Sequence, residues 1–239
     1  MHVNVRAGRF AAAALLLLLL PGRSPGQQNY ITRYDLFLGM TDLNSPHVGL
    51  IENGVHTQFG VRPVKWMSLG FDYSVSKGSL TLTPDLLLPS IQQPLAAQLG
   101  QMAAAGMLPP GYTLSVKTSS VTQTFAGGPQ FSWHHWKYMT LFIRPSFGAI
   151  KEAASPHPRD PIAAAIANNL APTGKKNDTT KFYGFGGGVD FLFSHHVGLR
   201  IQADLVRDHL FNDLLTDSRG TVRLSIGPCF NFGKNIAEN

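Results

Sequence analysis

The chain has 239 residues, of which 44% are hydrophobic and 14% are charged, and its formal net charge is +6. Its single cysteine, Cys229, excludes an internal disulfide. Three basic residues, Arg6, Arg9 and Arg23, lie in the first 26 residues, which leaves 17 of the 20 Lys and Arg against 14 Asp and Glu in the rest. That remainder is too weakly basic to indicate a nucleic-acid partner, and none is predicted.

Residues 1–26 have the pattern of a cleaved secretory signal peptide. Two arginines precede the uninterrupted apolar run FAAAALLLLLL at residues 10–20, and small residues and prolines follow at 21–26. The apolar run is too short to cross a bilayer, and no later stretch reaches eighteen apolar residues. The sequence therefore predicts an exported protein, cut after Gly26, without a transmembrane helix.

From residue 30 onward, apolar and polar residues alternate in eight separate stretches. In the last, TVRLSIGPCFNF at residues 221–232, every second residue is apolar, while Arg223 and Asn231 lie on the other face. A period of two is typical of β-strands with opposed faces. In the fourth stretch the alternation before residue 119 places apolar residues on the opposite face from those after it. A bulge near residues 119–120 would restore one apolar face and is therefore predicted. The predicted strands cover residues 30–40, 55–63, 67–76, 114–131, 139–148, 182–193, 197–206 and 221–232.

Short and long connections alternate between these strands. The two longest loops contain runs with helical character, at residues 89–110 and 160–172. Such alternation is typical of an up-and-down outer-membrane barrel with short periplasmic turns and long extracellular loops. A soluble lipocalin-like barrel also has eight strands, but its apolar side chains would point inward. The short connections lie around residues 64–66, 132–138 and 194–196, and the long ones cover residues 41–54, 77–113, 150–180 and 207–220.

Charged residues of the predicted strands all fall on the face opposite the apolar one. An Arg or Lys at mid-bilayer on the outer surface of a barrel costs roughly 2–4 kcal/mol, so a lipid-facing surface excludes charge whereas a water-facing surface does not. The sequence therefore predicts an all-β, eight-stranded antiparallel transmembrane barrel with lipid outside and an ion-pair network inside. The predicted network consists of Arg33, Asp35, Arg62, Asp72, Arg144, Asp190, Arg200, Asp204 and Arg223.

The segment SIGPCFNF, residues 225–232, resembles the C-terminal assembly signal of outer-membrane β-barrels. The residues that match its spacing are Ser225, Gly227, Phe230 and Phe232, although seven residues follow Phe232. The mature chain resembles the OmpA/OmpX-like superfamily of small eight-stranded outer-membrane barrels. This resemblance implies a Gram-negative outer membrane, insertion by the barrel-assembly machinery, a barrel over residues 27–233 and a short periplasmic tail at 234–239.

No catalytic or cofactor motif is readable in the sequence. The histidine pairs at residues 134–135 and 195–196 lack metal-ligand spacing, the glycines at 184–188 lack a strand-to-helix context, and His56 is on the inward face of its strand. We therefore expect no metal, no cofactor and no enzymatic activity. The predicted role is a monomeric scaffold, in contact with outer-membrane lipids and lipopolysaccharide, whose loops serve adhesion, envelope integrity or small-ligand binding. An enzyme acting on lipid A and a narrow channel for small apolar molecules are the alternatives.

Overall fold

The fold is a closed barrel of eight antiparallel strands. The computed structural model describes residues 28–216 and 219–237, so the predicted signal peptide lies outside the described residues. Each strand pairs with its neighbours in the chain, and β1 pairs with β8 to close the ring. The strands are β1 (Thr32–Ser45), β2 (Leu50–Val64), β3 (Met67–Leu82), β4 (Val116–Trp136), β5 (Met139–His157), β6 (Lys176–Leu192), β7 (Val197–Asp208) and β8 (Arg219–Asn235).

The two ends of the barrel differ. Very short connections at residues 65–66, 137–138 and 193–196 define what we call the turn end, as predicted. The opposite end, the loop end, has helix α1 (Pro89–Ala104), helix α2 (Pro161–Leu170) and two short 3-10 helices at Pro46–Val48 and Pro84–Leu86. Neither α-helix combines the length and apolar character needed to cross a bilayer, within the part of the chain that is described.

The strands run further toward the loop end than the alternation predicts. Only residues 46–49 connect β1 to β2, so the prediction of a long first loop over 41–54 is wrong. β4 pairs with β3 in one register from Val116 to Phe131, so the bulge predicted near residues 119–120 is also wrong. The phase of alternation changes there because Val116 is buried inside the barrel while Lys117 points outward to solvent. Beyond this level, apolar residues no longer mark the outer face.

Two rings of aromatic side chains bound the outer wall. Near the turn end, the Trp66 ring stacks on Phe131 with 6.1 Å between centroids, and Tyr34 stacks on Phe232 at 5.5 Å. Toward the loop end, the ring includes Tyr73 and the exposed side chains of Phe147 and Tyr183. Between these rings the outward positions of the described strands carry no charged residue. Aromatic girdles that flank an apolar band are the exterior that a membrane barrel requires.

Glycines on the inner face make room for acidic residues. A Cβ atom on Gly60 would lie 2.5 Å from Asp35 Oδ2, and one on Gly186 would lie 1.9 Å from Asp204 Oδ1. The sequence predicts that glycines of β6 lie opposite large inward arginines, and Gly186 does pair with Arg144 of β5. The side-chain atoms that a Cβ on Gly186 or Gly188 would meet inside the barrel belong to Asp204 and to the Phe142 ring. Small residues are needed there because an eight-stranded barrel has room only for side chains.

Candidate functional site: filled lumen and loop-end cap

The lumen contains a central ion cluster that joins four strands. Asp72 of β3 contacts the Arg144 guanidinium of β5 and lies 3.5 Å from Arg223 Nη2 of β8. Arg223 also reaches Asp204 of β7, at 2.8 Å from Nη2 and 2.9 Å from Nε. All four side chains are buried. Each of the two arginines in this cluster, Arg144 and Arg223, therefore contacts at least one carboxylate.

A second ion cluster lies nearer the turn end. Arg200 of β7 donates to both carboxylate oxygens of Asp190 on β6, at 2.7 and 2.8 Å. Its Nη2 is 3.7 Å from Asp35 of β1, and Asp35 also accepts from Arg62 of β2 at 3.2 Å. The Arg200 guanidinium is also 4.7 Å from the centre of the Phe142 ring. Two-pronged donation to a carboxylate is a strong and directional form of ion pair.

Eight of the nine charged residues predicted to face inward lie in the lumen, and Arg33 does not. The Arg33 side chain is exposed, because the register between β1 and β8 shifts between Thr32 and Tyr34. A bulge changes which residues face inward. Here it turns Thr32 inward, where its carbonyl oxygen accepts from Arg62 Nη1 at 2.6 Å. The assignment of Arg33 to the network is therefore wrong.

Uncharged polar side chains on the inward face also take part in the network. His56 Nδ1 lies 3.0 Å from Ser225 Oγ, which in turn donates to Thr41 Oγ1 at 3.0 Å. His56 Nε2 is 3.9 Å from Asp72 Oδ2. Serine, histidine and aspartate are the residue types of a hydrolase triad, but here all three are buried and Asp72 is engaged by arginines. These residues lie on the polar face of the alternating sequence pattern, and this position indicates that they face the lumen.

The four residues of the predicted assembly signal alternate between the two faces of β8. Ser225 is buried in the lumen, as described above, and a Cβ atom on Gly227 would lie 2.2 Å from the Leu38 carbonyl oxygen. Phe230 and Phe232 face outward, and Phe232 belongs to the aromatic ring at the turn end. This placement defines their surroundings, and their role in assembly stays a prediction.

At the loop end the interior of the barrel holds an apolar cluster beside buried charged side chains, which are Glu52, Glu152 and Asp208. Strand residues such as Leu50, Ile150 and Phe182 point inward there and are buried. Residues from the connections, including Leu95 of α1 and Ala163 of α2, pack on them. We call this cluster the loop-end core. Its buried members are Val48, Leu50, Leu80, Leu87, Leu95, Leu114, Val116, Ala126, Ile150, Ala163, Phe182, Val206, Leu210, Phe211 and Leu215.

Hydrogen bonds join the connections above this core into a single layer, the loop-end cap, which covers residues 83–115, 158–175 and 209–216. Leu88 N–H donates to the Leu214 carbonyl at 2.9 Å, and Thr216 N–H donates to Leu86 at 3.1 Å. The Tyr112 hydroxyl donates to Asp160 Oδ1 at 3.0 Å, and the same carboxylate caps the first turn of α2. The two helix-bearing loops are therefore packed and cross-linked.

A small apolar cavity of about 60 Å³ lies between the cap and the rim of the barrel. Its walls come from α2, through Ile166 and Leu170, and from the rim of the barrel, through Leu82 and Leu114. Lys176 also lines it, and the Lys176 ammonium pairs with Asp213 of the cap. Apart from Lys176, the walls offer only two threonines as polar side chains, Thr83 and Thr118. The cavity therefore suits an apolar group.

The turn end of the lumen is also covered. Gln28 lies beneath the barrel, where its amide nitrogen donates to the Trp136 carbonyl at 3.0 Å and to Thr140 Oγ1 at 2.9 Å. Nearby, the Tyr30 ring packs against His195, with 4.9 Å between centroids. Within residues 28–216 and 219–237, no group of three or more His, Cys, Asp or Glu side chains is arranged to hold a metal ion.

No family model matches this chain, and no curated protein matches it. Among solved structures, the chain is similar to Ail, the attachment invasion locus protein of Yersinia pestis, with 9% identity and a TM-score of 0.45 over 83% of this chain and 96% of that one. It is similar to Neisserial surface protein A, with 9% identity and a TM-score of 0.49 over 83% and 96% of the two chains. OprG from Pseudomonas aeruginosa gives 7% identity and a TM-score of 0.45 over 87% and 99%.

At identities of 7% and 9%, few side chains are shared with these barrels. The closed eight-stranded barrel is established by this chain's own strand pairing. Its function has to be argued from its own surfaces.

Proposed function

We propose that this protein is a non-conducting, monomeric barrel of an outer membrane that holds the loop-end cap as a surface for contacts with other molecules. The observation that carries the proposal is the combination of a filled lumen with a packed cap. The proposal includes insertion by the barrel-assembly machinery, and the resemblance of residues 225–232 on β8 to an assembly signal supports it. Closure of β1 on β8 leaves no free strand edge for a second copy to extend.

The outer wall supports a membrane location. Large apolar side chains such as Met40, Phe71 and Leu205 are more than half exposed between the two aromatic rings. A continuous apolar band of this kind would be an aggregation hazard in water, since soluble monomers rarely expose large apolar patches. Hydrocarbon also demands that every backbone group be paired, and a closed barrel satisfies that demand.

The filled lumen supports the absence of a channel. Arg144, Arg200 and Arg223 are among the largest fully buried side chains of the described residues, and each is held by a carboxylate from another strand. Above them the loop-end core closes the interior with apolar side chains. Eight strands give an interior that side chains can fill completely.

The cap supports a role in contacts. No residue from 86 to 116 is charged, although most of α1 is exposed. Charged side chains are depleted at the centres of protein–protein interfaces, so an uncharged and ordered surface is suited to a protein partner. Loops held on a rigid scaffold are also where binding functions concentrate.

Planar-bilayer recording of the refolded protein tests the proposal. We expect no conductance steps beyond those of a detergent-only control, and regular ohmic steps would contradict a filled lumen. Cys229, which is buried on the inner face of β8, gives a second measurement. It should resist a water-soluble maleimide in the folded barrel and react after unfolding. Met107→Cys in a Cys229→Ser background, at an exposed position of the cap, should react in both states.

The contact role is tested by replacing residues 86–113 with a short Asn-Gly turn. We expect the shortened protein to keep its heat-modifiable migration in gels and to lose adhesion or envelope phenotypes of the intact protein. If every such phenotype survives the deletion, the cap is not the functional surface.

A second candidate function, binding of a small apolar molecule, is favoured by the cavity beneath α2. Isothermal titration with toluene is expected to give saturable binding. Ala167→Phe, which would fill the cavity from its α2 wall, should abolish that binding. Equal heats for the two proteins would contradict this function.

A further inference from the structure

Basic side chains form a patch on the outer wall, just beyond the aromatic ring nearest the loop end. Lys151 of β5, Lys181 of β6 and Arg207 of β7 are exposed. Residues an even number apart on a strand share a face. The three basic residues share the outer face with exposed residues of their own strands, which are Phe147, Tyr183 and Leu205 respectively. Lys77 of β3 is exposed on the outer wall as well. We call Lys151, Lys181 and Arg207 the basic patch.

Strand register brings the three side chains close together. Lys181 pairs with Ala149, which places Lys151 diagonally across from it. Tyr183 pairs with Arg207, which places Lys181 diagonally across from the arginine. Diagonal neighbours on one face of a sheet are about 7–8 Å apart, a distance that long side chains bridge easily. One phosphate group can therefore be reached by two of these residues at once.

The patch is not neutralised by the protein's own acids. Along β3 to β7, all of whose residues are described, no outward position carries Asp or Glu. The acidic neighbours in sequence, Glu152 and Asp208, are buried on the inner face. On the opposite side of the barrel, at the same level, the outward residues of β1 and β2 are Asp42, Asn44, Ile51 and Asn53. The outward basic residues toward the loop end therefore lie on β3 to β7, and neither β1 nor β2 carries one.

The height of the patch matches the headgroup layer of a membrane. Arg207 is ten residues beyond Val197, the first residue of β7 at the turn end. At about 3.3 Å per residue along a strand tilted by about 40°, ten residues rise roughly 25 Å along the axis, which is the height of the apolar band of an outer-membrane barrel. Long basic side chains at this level extend toward headgroups while their stems remain on the apolar wall.

We infer that the basic patch binds the phosphate groups of lipid A in the facing leaflet of the membrane. This inference rests on the proposed function, because it requires the barrel to sit in an outer membrane with the loop end outside. Ammonium and guanidinium groups form charge-assisted hydrogen bonds with phosphate oxygens. Since the patch lies on β5 to β7, we expect the lipid to be held on that side of the barrel.

The test compares wild-type protein with the triple variant Lys151→Gln, Lys181→Gln and Arg207→Gln. The matched control is Arg33→Gln, Lys65→Gln and Lys137→Gln, which removes the same charges from exposed positions at the turn end. Native mass spectrometry would measure retention of bisphosphorylated lipid A and of its dephosphorylated form in detergent. Each basic residue near an anionic surface strengthens binding about fivefold, so we expect a ten- to hundredfold loss in the patch variant and less than a twofold change in the control.

Several results would overturn the inference. They are equal retention of the two lipid forms by wild-type protein, retention by the patch variant equal to that of the control, and competition by phosphatidylglycerol as strong as by lipid A. Heat-modifiable migration of all three proteins shows that they are folded, so a loss of retention is then due to the charges. Failure of the wild-type protein to fold in detergent or insert into vesicles would instead contradict the proposed function.

Discussion

The two halves of the barrel interior differ, although the same strands build both: ion clusters fill the half toward the turn end, and an apolar core lies in the half toward the loop end beside the buried Glu52, Glu152 and Asp208. Toward the turn end, β5 points Arg144 inward and β7 points Asp204 inward, and the outer wall is apolar. Toward the loop end, the same strands turn Ile150 and Val206 inward, and the outer wall carries Lys151 and Arg207. The first arrangement suits lipid outside, and the second suits water outside. Under the proposed function this inversion marks where the hydrocarbon ends, because the environment outside decides which face of a strand must be apolar.

The largest effect is expected from Asp72→Asn, which removes the carboxylate at the centre of the polar half. The buried Arg144 would then lose the carboxylate that it contacts, and the buried Arg223 would keep only that of Asp204. Loss of one member of a buried ion cluster typically costs about 3–5 kcal/mol. Urea unfolding of the refolded barrel in lipid vesicles measures the change in free energy. The exposed Arg33 gives the control, and Arg33→Ala should leave the unfolding midpoint unchanged. Equal midpoints for the two variants would mean that the central cluster does not stabilise the barrel.

A slightly smaller effect is expected in the apolar half from Leu50→Ala, which leaves a cavity in the loop-end core. Truncation of a buried leucine costs about 2–5 kcal/mol. The loss should appear first as protease cleavage within the cap, while the membrane-embedded part stays folded. The control is Leu205→Ala, a change of the same size on the outer wall, which should leave the cleavage rate unchanged. Cleavage at the same rate in both variants would argue against a packed core.

The close approach of backbone to aspartate in the polar half is tested by Gly186→Ala. A methyl group at this position overlaps Asp204 and pushes it from Arg223, and overpacking of this kind costs about 1–3 kcal/mol. Gly127→Ala is the matched change, because the nearest atom to its Cβ is 3.5 Å away, an ordinary contact distance. If thermal unfolding in detergent shows the same midpoint for both variants, then Asp204 relaxes without loss.

The smallest effect is expected from Asp160→Ala in the cap. The substitution removes the N-cap of α2 and the acceptor for Tyr112, and loss of an N-cap typically costs about 1 kcal/mol. Amide hydrogen exchange should become faster in α2 and near Tyr112, with no change in β4 or β5 below the cap. Asp85→Ala, a change at an exposed cap residue, is the control. Unchanged exchange in α2 would show that core packing alone holds the helix.

The charge pattern of the strands allowed much of the site to be predicted. Eight of the nine proposed lumen residues lie there because side-chain parity is a local property that survives folding. Arg33 is the exception, since a bulge depends on how β1 fits β8 and leaves no mark in the alternation. His56, Gln58, Gln130 and Gln202 are equally buried; parity places them on the inward face, but it does not tell which groups they contact there.

The sequence by itself determined the number of strands, their antiparallel order, the inward face for most charges and the helical runs in two loops. These features follow from short-range periodicity and from the lengths of the connections. The tertiary structure alone decided which aspartate meets which arginine, how far the strands continue beyond the aromatic ring nearest the loop end, and that the loops close over an apolar core. Those outcomes depend on register and on side chains that meet across the lumen from distant parts of the chain, and no local pattern encodes them.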